Sequence, residues 1–241
     1  MHRFYLPETK LIVGQSVDLT PVTRQLTRVL RLAPGAQIVL FNGDGREFRT
    51  EVTGLGPDSA TGLILSVRTP ATEPSIGLTL YQCSLKGDKF EWVLQKGTEL
   101  GVTCFVPVVS AHSIVRPAAA LRKKYARWQA ILREAAEQSG RVQVPTLAEP
   151  LSFAQAVEEA RGVRLLPYEA AADDAALPSL SAAVETLHCN VSTLGEGEEA
   201  VETLHCNVST GVALLIGPEG GFAPEEVVLA RHAGWQIVTL G

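Results

Sequence analysis

The stretch VALLIGPEGGFAPEE, residues 212–226, decides how the chain is read. Its five leading apolar residues have the length and character of a buried strand, and a turn of glycine and proline follows. Pro224, Glu225 and Glu226 then open a helix, since proline fits the first helical turn and carboxylates are favoured at a helix N-terminus. Strand, glycine turn and helix in that order are the repeating unit of parallel α/β sheets, whose ligands lie beyond the carboxyl ends of the strands.

Outward from this unit the same alternation recurs. IGLTLYQCS (76–84) reads as a strand, 89–100 as a helix stopped at Gly101, CFVPVVS (104–110) as a buried strand, and 121–139 as a long helix ending at Gly140. Farther on, 153–161 is helical, VRLLPYE (163–169) is a strand, 224–233 is helical and QIVTL (236–240) is a closing strand. The fold class implied is α/β with a mostly parallel sheet covered on both faces. The first seventy residues differ. GAQIVLFNGDGREFRTEV (35–52) places two strands around the turn Asn42-Gly-Asp-Gly45, and TGLILSVRT (61–69) adds another. One helix is expected there, from Thr20 as cap and Pro21 at the first position to Arg31. Residues 70–74, PATEP, read as a linker, so residues 1–70 and 75–241 are expected to form two domains.

With 46% hydrophobic and 20% charged residues in 241, the composition is that of a soluble protein with a full core. No apolar run is long enough to span a bilayer, and the start MHRFYLPETK has no apolar signal segment, which points to the cytoplasm. The four cysteines form no CxxC pair, so buried reduced thiols are expected and no metal site. The net charge of −5 hides an asymmetry: residues 84–141 carry ten Lys/Arg against five Asp/Glu, whereas 142–241 carry three against fourteen. The basic middle points to a local anionic partner in spite of the acidic total.

Three features bear on chemistry. The turn 217–221 lacks both the GxGxxG dinucleotide fingerprint and the GKS/GKT of a P-loop. Glu219, Glu225 and Glu226 would also meet a phosphate with three negative charges. A compact, phosphate-free cationic ligand such as S-adenosylmethionine suits the turn; a purely structural turn is the alternative. Next, Arg24, Arg28 and Arg31 at i, i+4 and i+7 line one face of the short helix, placed to grip successive phosphates, or else form a solvated face. In the 121–139 helix, Leu121, Tyr125, Trp128, Leu132 and Ala135 mark a buried stripe, and Arg122, Lys123, Lys124 and Arg127 crowd the first turns, where the helix dipole disfavours cations. An external anion or a solvated basic face accounts for them equally. Trp92, among Phe90, Val93 and Leu100, is expected to be packed. Lys96 and Glu99 are spaced to pair. None of the five histidines lies in a motif that demands a general base, so no catalytic residue is assigned.

VETLHCNVST occurs twice, at 184–193 and 201–210, separated by LGEGEEA. A single pair does not make a solenoid. A short duplication in a surface loop and an error in the recorded sequence are the two readings. Neither His188-Cys189 nor His205-Cys206 can by itself build a metal site.

KGDKFEWVLQKGTELGV (86–102), Arg127-Trp128, EAAEQSGR (134–141), LPYE (166–169) and LLIGPEGGF with Glu225-Glu226 together resemble the bacterial rRNA methyltransferases of the RsmE type, which methylate N3 of a uridine in 16S rRNA. HRFYL at the start and VLRL (29–32) are similar to that family too. The resemblance implies a PUA-like RNA-binding β-barrel followed by a SPOUT-type, trefoil-knotted α/β domain that forms a homodimer. It implies that S-adenosylmethionine lies against Glu169, Leu215, Ile216, Gly217, Pro218, Glu219, Gly220, Gly221, Leu240 and Gly241. It places 16S rRNA, or the small ribosomal subunit, on Arg24, Arg28, Arg31, Lys86, Lys89, Gln138 and Arg141. Gln25 stands where the family usually has His, and the family's pattern continues beyond Leu240-Gly241 with a motif that completes the knot and the cofactor pocket. For a chain lacking that motif, the resemblance leaves a second expectation: an RNA-binding protein of the same fold without catalysis.

Overall fold

In the computed structural model, residues 1–115, 117–169, 177–183 and 211–239 are described. The duplicated segments, Leu240 and Gly241 lie outside them. The chain divides into two compact units: residues 1–74 with 95–101 and 130–145, and residues 75–94 with 102–129 and 146–241.

The first unit is built on a five-stranded sheet in the order β1-β3-β4-β5-β2, where β1 is Arg3–Tyr5, β2 Ser16–Asp18, β3 Gln37–Phe41, β4 Glu47–Leu55 and β5 Ala60–Arg68. β1 runs parallel to β3 and the other neighbours are antiparallel. The β3–β4 hairpin turns where its sequence predicts, with Gly43 and Gly45 supplying the positive φ values, 96° and 85°, that other residues resist. Alternate residues of β4, Phe48, Thr50 and Val52, point inward with Ile38, Leu40 and Ile64 into one apolar core. Between β2 and β3 the expected helix is not regular. A 3₁₀ turn, Thr20–Val22, is capped by Leu19 without a side-chain bond, and a π-helical turn, Gln25–Val29, follows it. Arg31 lies beyond this turn at φ 52°, so the arginine face ends at Arg28.

The second unit holds a parallel sheet in the order β12-β10-β11-β6-β7-β8, with the short β9 also on β7. Here β6 is Leu78–Cys83, β7 Cys104–Val109, β8 Thr146–Leu147, β9 Leu151–Ser152, β10 Val163–Pro167, β11 Val212–Ile216 and β12 Gln236–Val238. β6 and β7 are buried almost end to end, as strands covered on both faces must be. The chain's helices include α1 (Lys89–Glu99), α2 (Tyr125–Ser139), α3 (Phe153–Glu159) and α4 (Pro224–His232), of which residues 95–99 of α1 and 130–139 of α2 count with the first unit. α2 is shorter than its sequence predicts: Ala118–Lys124 form a 3₁₀ segment ahead of it. Arg122 there pairs with Glu149, and Arg127 on α2 pairs with Glu91, so internal carboxylates account for two of the four clustered cations.

Trp128 is 1% exposed and stacks on Phe90 with ring centroids 4.3 Å apart. Trp92, in contrast, is 63% exposed, and Leu100 is more exposed still. The expectation that Trp92 is packed fails because α1 turns Phe90 and Leu94 inward and leaves Trp92 on the other side. Lys96 and Glu99 pair at 2.8 Å.

Candidate functional site

β10 and β11 are neighbours and run parallel, so their carboxyl ends open side by side. Two loops leave there. Tyr168-Glu169 follows β10, and the glycine turn follows β11. Between them is a cleft of about 450 Å³ lined by Pro167, Tyr168, Glu169, Ile216, Gly217, Pro218, Glu219, Gly220, Gly221 and Phe222. The structure thus brings Glu169 together with six of the residues expected around a cofactor. Leu215, expected with them, is fully buried within β11 and does not line the cleft.

The turn is held from several sides. Gly221 has φ 68° and its N–H bonds the Pro218 carbonyl at 2.9 Å. A methyl group on Gly217 would approach the Phe222 ring to 3.2 Å, and one on Gly220 would approach His112 Cβ to 3.3 Å. His112 Nδ1 is 3.0 Å from the Gly220 carbonyl and 3.2 Å from that of Gly221. Both partners are acceptors, so Nδ1 carries the proton. Glu226 ties the turn to the loop after β7, accepting from the Ala111 N–H at 2.7 Å and from the Ala223 N–H at 3.0 Å. Buried Gln82 faces the turn from β6, its amide 3.4 Å from the Gly217 carbonyl.

These contacts revise the reading of the turn as a field of free negative charge. Glu219 accepts from the Lys89 ammonium at 2.9 Å and from the Lys86 N–H at 3.2 Å. The Lys89 bond, helped by the Glu219 and Lys86 backbone N–H groups, holds its carboxyl below the usual range. Glu226 is taken up by two backbone amides. The carboxylates therefore shape the loop, and Glu169 is the lining acid that no ion pair engages among the described residues.

The residues expected on RNA fall into two sets. Lys86 and Lys89 are exposed in the second unit beside Glu219. Arg24, Arg28, Arg31 and Gln138 are exposed in the first unit. Arg141 is a correction. It is 3% exposed, its guanidinium bonds Glu73 at 2.6 and 3.0 Å and the Thr98 carbonyl at 3.2 Å, and it acts as an internal tie. Sequence reasoning missed Tyr168 and Phe222 in the lining, and His112 behind it. Phe222 was signalled only by its place after the double glycine; nothing local marked His112, which is 108 residues from its partner.

Cys83 and Cys104 are buried, and burial pushes the Cys83 thiol up to about 12. Among the described residues, no group of three His, Cys, Asp or Glu could hold a metal ion, and no helix is long and apolar enough to cross a membrane.

A parallel α/β unit with a glycine-turn cleft at the carboxyl ends of two strands, following a small β unit in the chain, is the architecture of a ligand-binding α/β enzyme. Comparison with known proteins makes this specific. The family model described as RNA methyltransferase domain matches residues 72–241, and that described as RNA methyltransferase PUA domain matches residues 26–65. The ribosomal RNA small subunit methyltransferase E of Synechocystis is 32% identical over 95% of this chain and 68% of its own; that of Bacillus subtilis is 29% identical over 94% and 84%. Among solved structures, the Neisseria gonorrhoeae methyltransferase E bound to S-adenosylmethionine superposes with a TM-score of 0.79 at 33% identity, covering 100% of this chain and 89% of that one. A Legionella pneumophila methyltransferase with the same cofactor gives 0.79 at 30% identity, covering 99% and 88%. The chain belongs to the RNA methyltransferase family, with an N-terminal PUA-like unit and a C-terminal SPOUT-type α/β unit.

Proposed function

We propose that this chain methylates N3 of a uridine in the 16S rRNA of the small ribosomal subunit, using S-adenosylmethionine. The carrying observation is the cleft at the ends of β10 and β11, whose lining holds no Lys or Arg to meet a phosphate but pairs a glycine turn with the Glu169 carboxylate. Such a lining fits a cofactor with net positive charge and no phosphate. Ile216–Gly221 and Tyr168-Glu169 would hold it, the turn through its backbone polar groups and Pro167, Tyr168 and Ile216 as an apolar wall. When bound, S-adenosylmethionine supplies a methyl group activated by its sulfonium.

The chain's own contribution is position and charge. Uracil N3 bears an imide proton and pairs in a duplex, so the target base must be presented unpaired. Loss of that proton to solvent would spread negative charge over N3, O2 and O4, and the charge would be spent as N3 takes the methyl group and the donor's S–CH3 bond breaks. The Lys89 ammonium, 2.9 Å from Glu219 of the cleft lining, would help to stabilise that charge. The braced turn, held by His112 and Glu226, keeps the site in one geometry. The trefoil knot, the homodimer, a cytoplasmic location and the division of labour between residues 1–70 on RNA and 75–241 on catalysis belong to the same proposal.

The test is incubation of the protein with 16S rRNA or small subunits lacking the modification, followed by nucleoside mass spectrometry. N3-methyluridine is the expected product. RNA binding without any methyl transfer would overturn the enzyme reading in favour of an RNA-binding protein.

A further inference from the structure

The first unit carries a second cavity of about 480 Å³, lined by Met1, Arg3, Val39, Glu47, Arg49, Ser66 and Arg68. Its origin is in the strand register. Arg3 on β1 lies opposite Val39 on β3, Val39 opposite Arg49 on β4, and Arg49 opposite Ser66 on β5, one row across four strands. Two residues along, Glu47 lies opposite Arg68. On a pleated sheet such a row shares one face.

β5 would not join that row without an irregularity. Ala60, Gly62 and Ile64 point to the core, so simple alternation would send Ser66 and Arg68 inward as well. The register shifts between Arg49 and Thr50, whose partners are Ser66 and Ile64, leaving Leu65 as an extra residue. This bulge turns Ser66 and Arg68 to the outer face beside Arg49.

The charges are arranged and only partly spent. Glu47, with its side chain 4% exposed, accepts from Arg3 Nη1 through Oε2 and from Arg68 Nε through Oε1. Arg3 also donates to the Gly140 and Arg141 carbonyls, which fixes it further. Arg49 donates to the neutral Gln37 amide oxygen, and no carboxylate pairs with it among the described residues. The lining thus holds three guanidinium groups and one carboxylate, which only Arg3 and Arg68 share. Arg68 stays 74% exposed at the side chain and Arg49 is exposed, so both can turn donors outward while Glu47 and Gln37 hold their other edges.

We propose that this bulge-built groove, with Arg49 and Arg68 as its outward donors over the Arg3–Glu47 base, seats a phosphodiester of the RNA substrate. The proposal rests on the RNA-methylating reading above and adds an anchoring point apart from Arg24, Arg28 and Arg31. Its occupant follows from charge complementarity: guanidinium forks match phosphate oxygens, and the cavity is large enough for a phosphate with its sugar. Phosphate contacts of this kind set register and orientation without reading sequence.

The test is fluorescence anisotropy of a labelled 16S rRNA fragment against the full chain over a series of KCl concentrations. The double variant Arg49→Glu with Arg68→Glu is expected to bind at least about tenfold more weakly and to lower the salt slope by about one to two, since each lost phosphate contact removes close to one released counterion. Its affinity for S-adenosylmethionine should stay that of the wild type, while its melting temperature falls, since Arg68 no longer pairs with Glu47. The milder Arg49→Gln, Arg68→Gln pair should weaken RNA binding in the same direction with the fold intact. Wild-type affinity and slope in both variants overturn the groove and leave the enzyme reading standing. Failure of the wild-type protein to bind RNA at all overturns both.

Discussion

At the scale of single residues, the glycine turn after β11 depends on conformations and contacts more than on charge. Gly221 sits at φ 68°, where an L side chain costs about 1–2 kcal/mol, so Gly221→Ala should lower unfolding stability by that amount in a denaturant titration and weaken cofactor affinity severalfold. Cys83 gives a chemical check. Its thiol is pushed up to about 12 by burial, so the native protein should resist alkylation at pH 8 and react once unfolded. The sign for stability follows: the folded thiol stays neutral while the unfolded one ionises above its ordinary value of about 8.5, so Cys83 makes the fold less stable as pH rises past that point. Glu219 and Arg141 depart from their sequence expectations for one shared cause. By sequence Glu219 is a free charge and Arg141 a surface cation, yet Lys89 is 130 residues from Glu219 and Glu73 is 68 from Arg141. Long-range pairs of this kind leave no local pattern. Trp92 fails for a nearer reason, since apolar character alone does not fix which side of a helix faces inward.

At the scale of elements, legibility followed regularity. The parallel strands announced themselves as short apolar runs, and the β3–β4 hairpin by Asn42-Gly-Asp-Gly45, because turn chemistry is local. The segment 20–31 had helical spacing but adopts 3₁₀ and π turns, which the same spacing does not distinguish. α2 was legible in its stripe, and its energetic centre is Trp128. Trp128→Ala empties a fully buried site stacked on Phe90 and should cost about 3–5 kcal/mol by chemical denaturation. The bulge in β5 was invisible in sequence, although it decides which way Arg68 points. Glu47 beside it carries a pH signature. Burial works to raise its pKa, but the bonds from Arg3 and Arg68 win and hold it low. A folded pKa below the unfolded one contributes stability that is present above the unfolded value, about 4.5, and is lost as pH falls through the folded one. Replacing Glu47 by Gln should therefore flatten the acid limb of the stability profile of the first unit.

At the scale of the whole molecule, each unit builds its own cleft. The second unit sets a braced glycine turn at the ends of two adjacent parallel strands, where such sheets bind their ligands. The first arranges arginines on the outer face of a bulged sheet. The fold class and the turn were readable from alternation and motif, while the partnership of the turn with Glu169 entered through the family resemblance, because 169 and 216 meet only when β10 and β11 pair. The central claim is that this meeting place takes the methyl donor. A crystal structure of the chain grown with S-adenosylmethionine tests it most directly. The account predicts density for the cofactor against Tyr168, Glu169 and residues 216–221, with Glu219 still on Lys89. Cofactor bound elsewhere, or a cleft filled by the protein's own side chains at saturating cofactor, would contradict it.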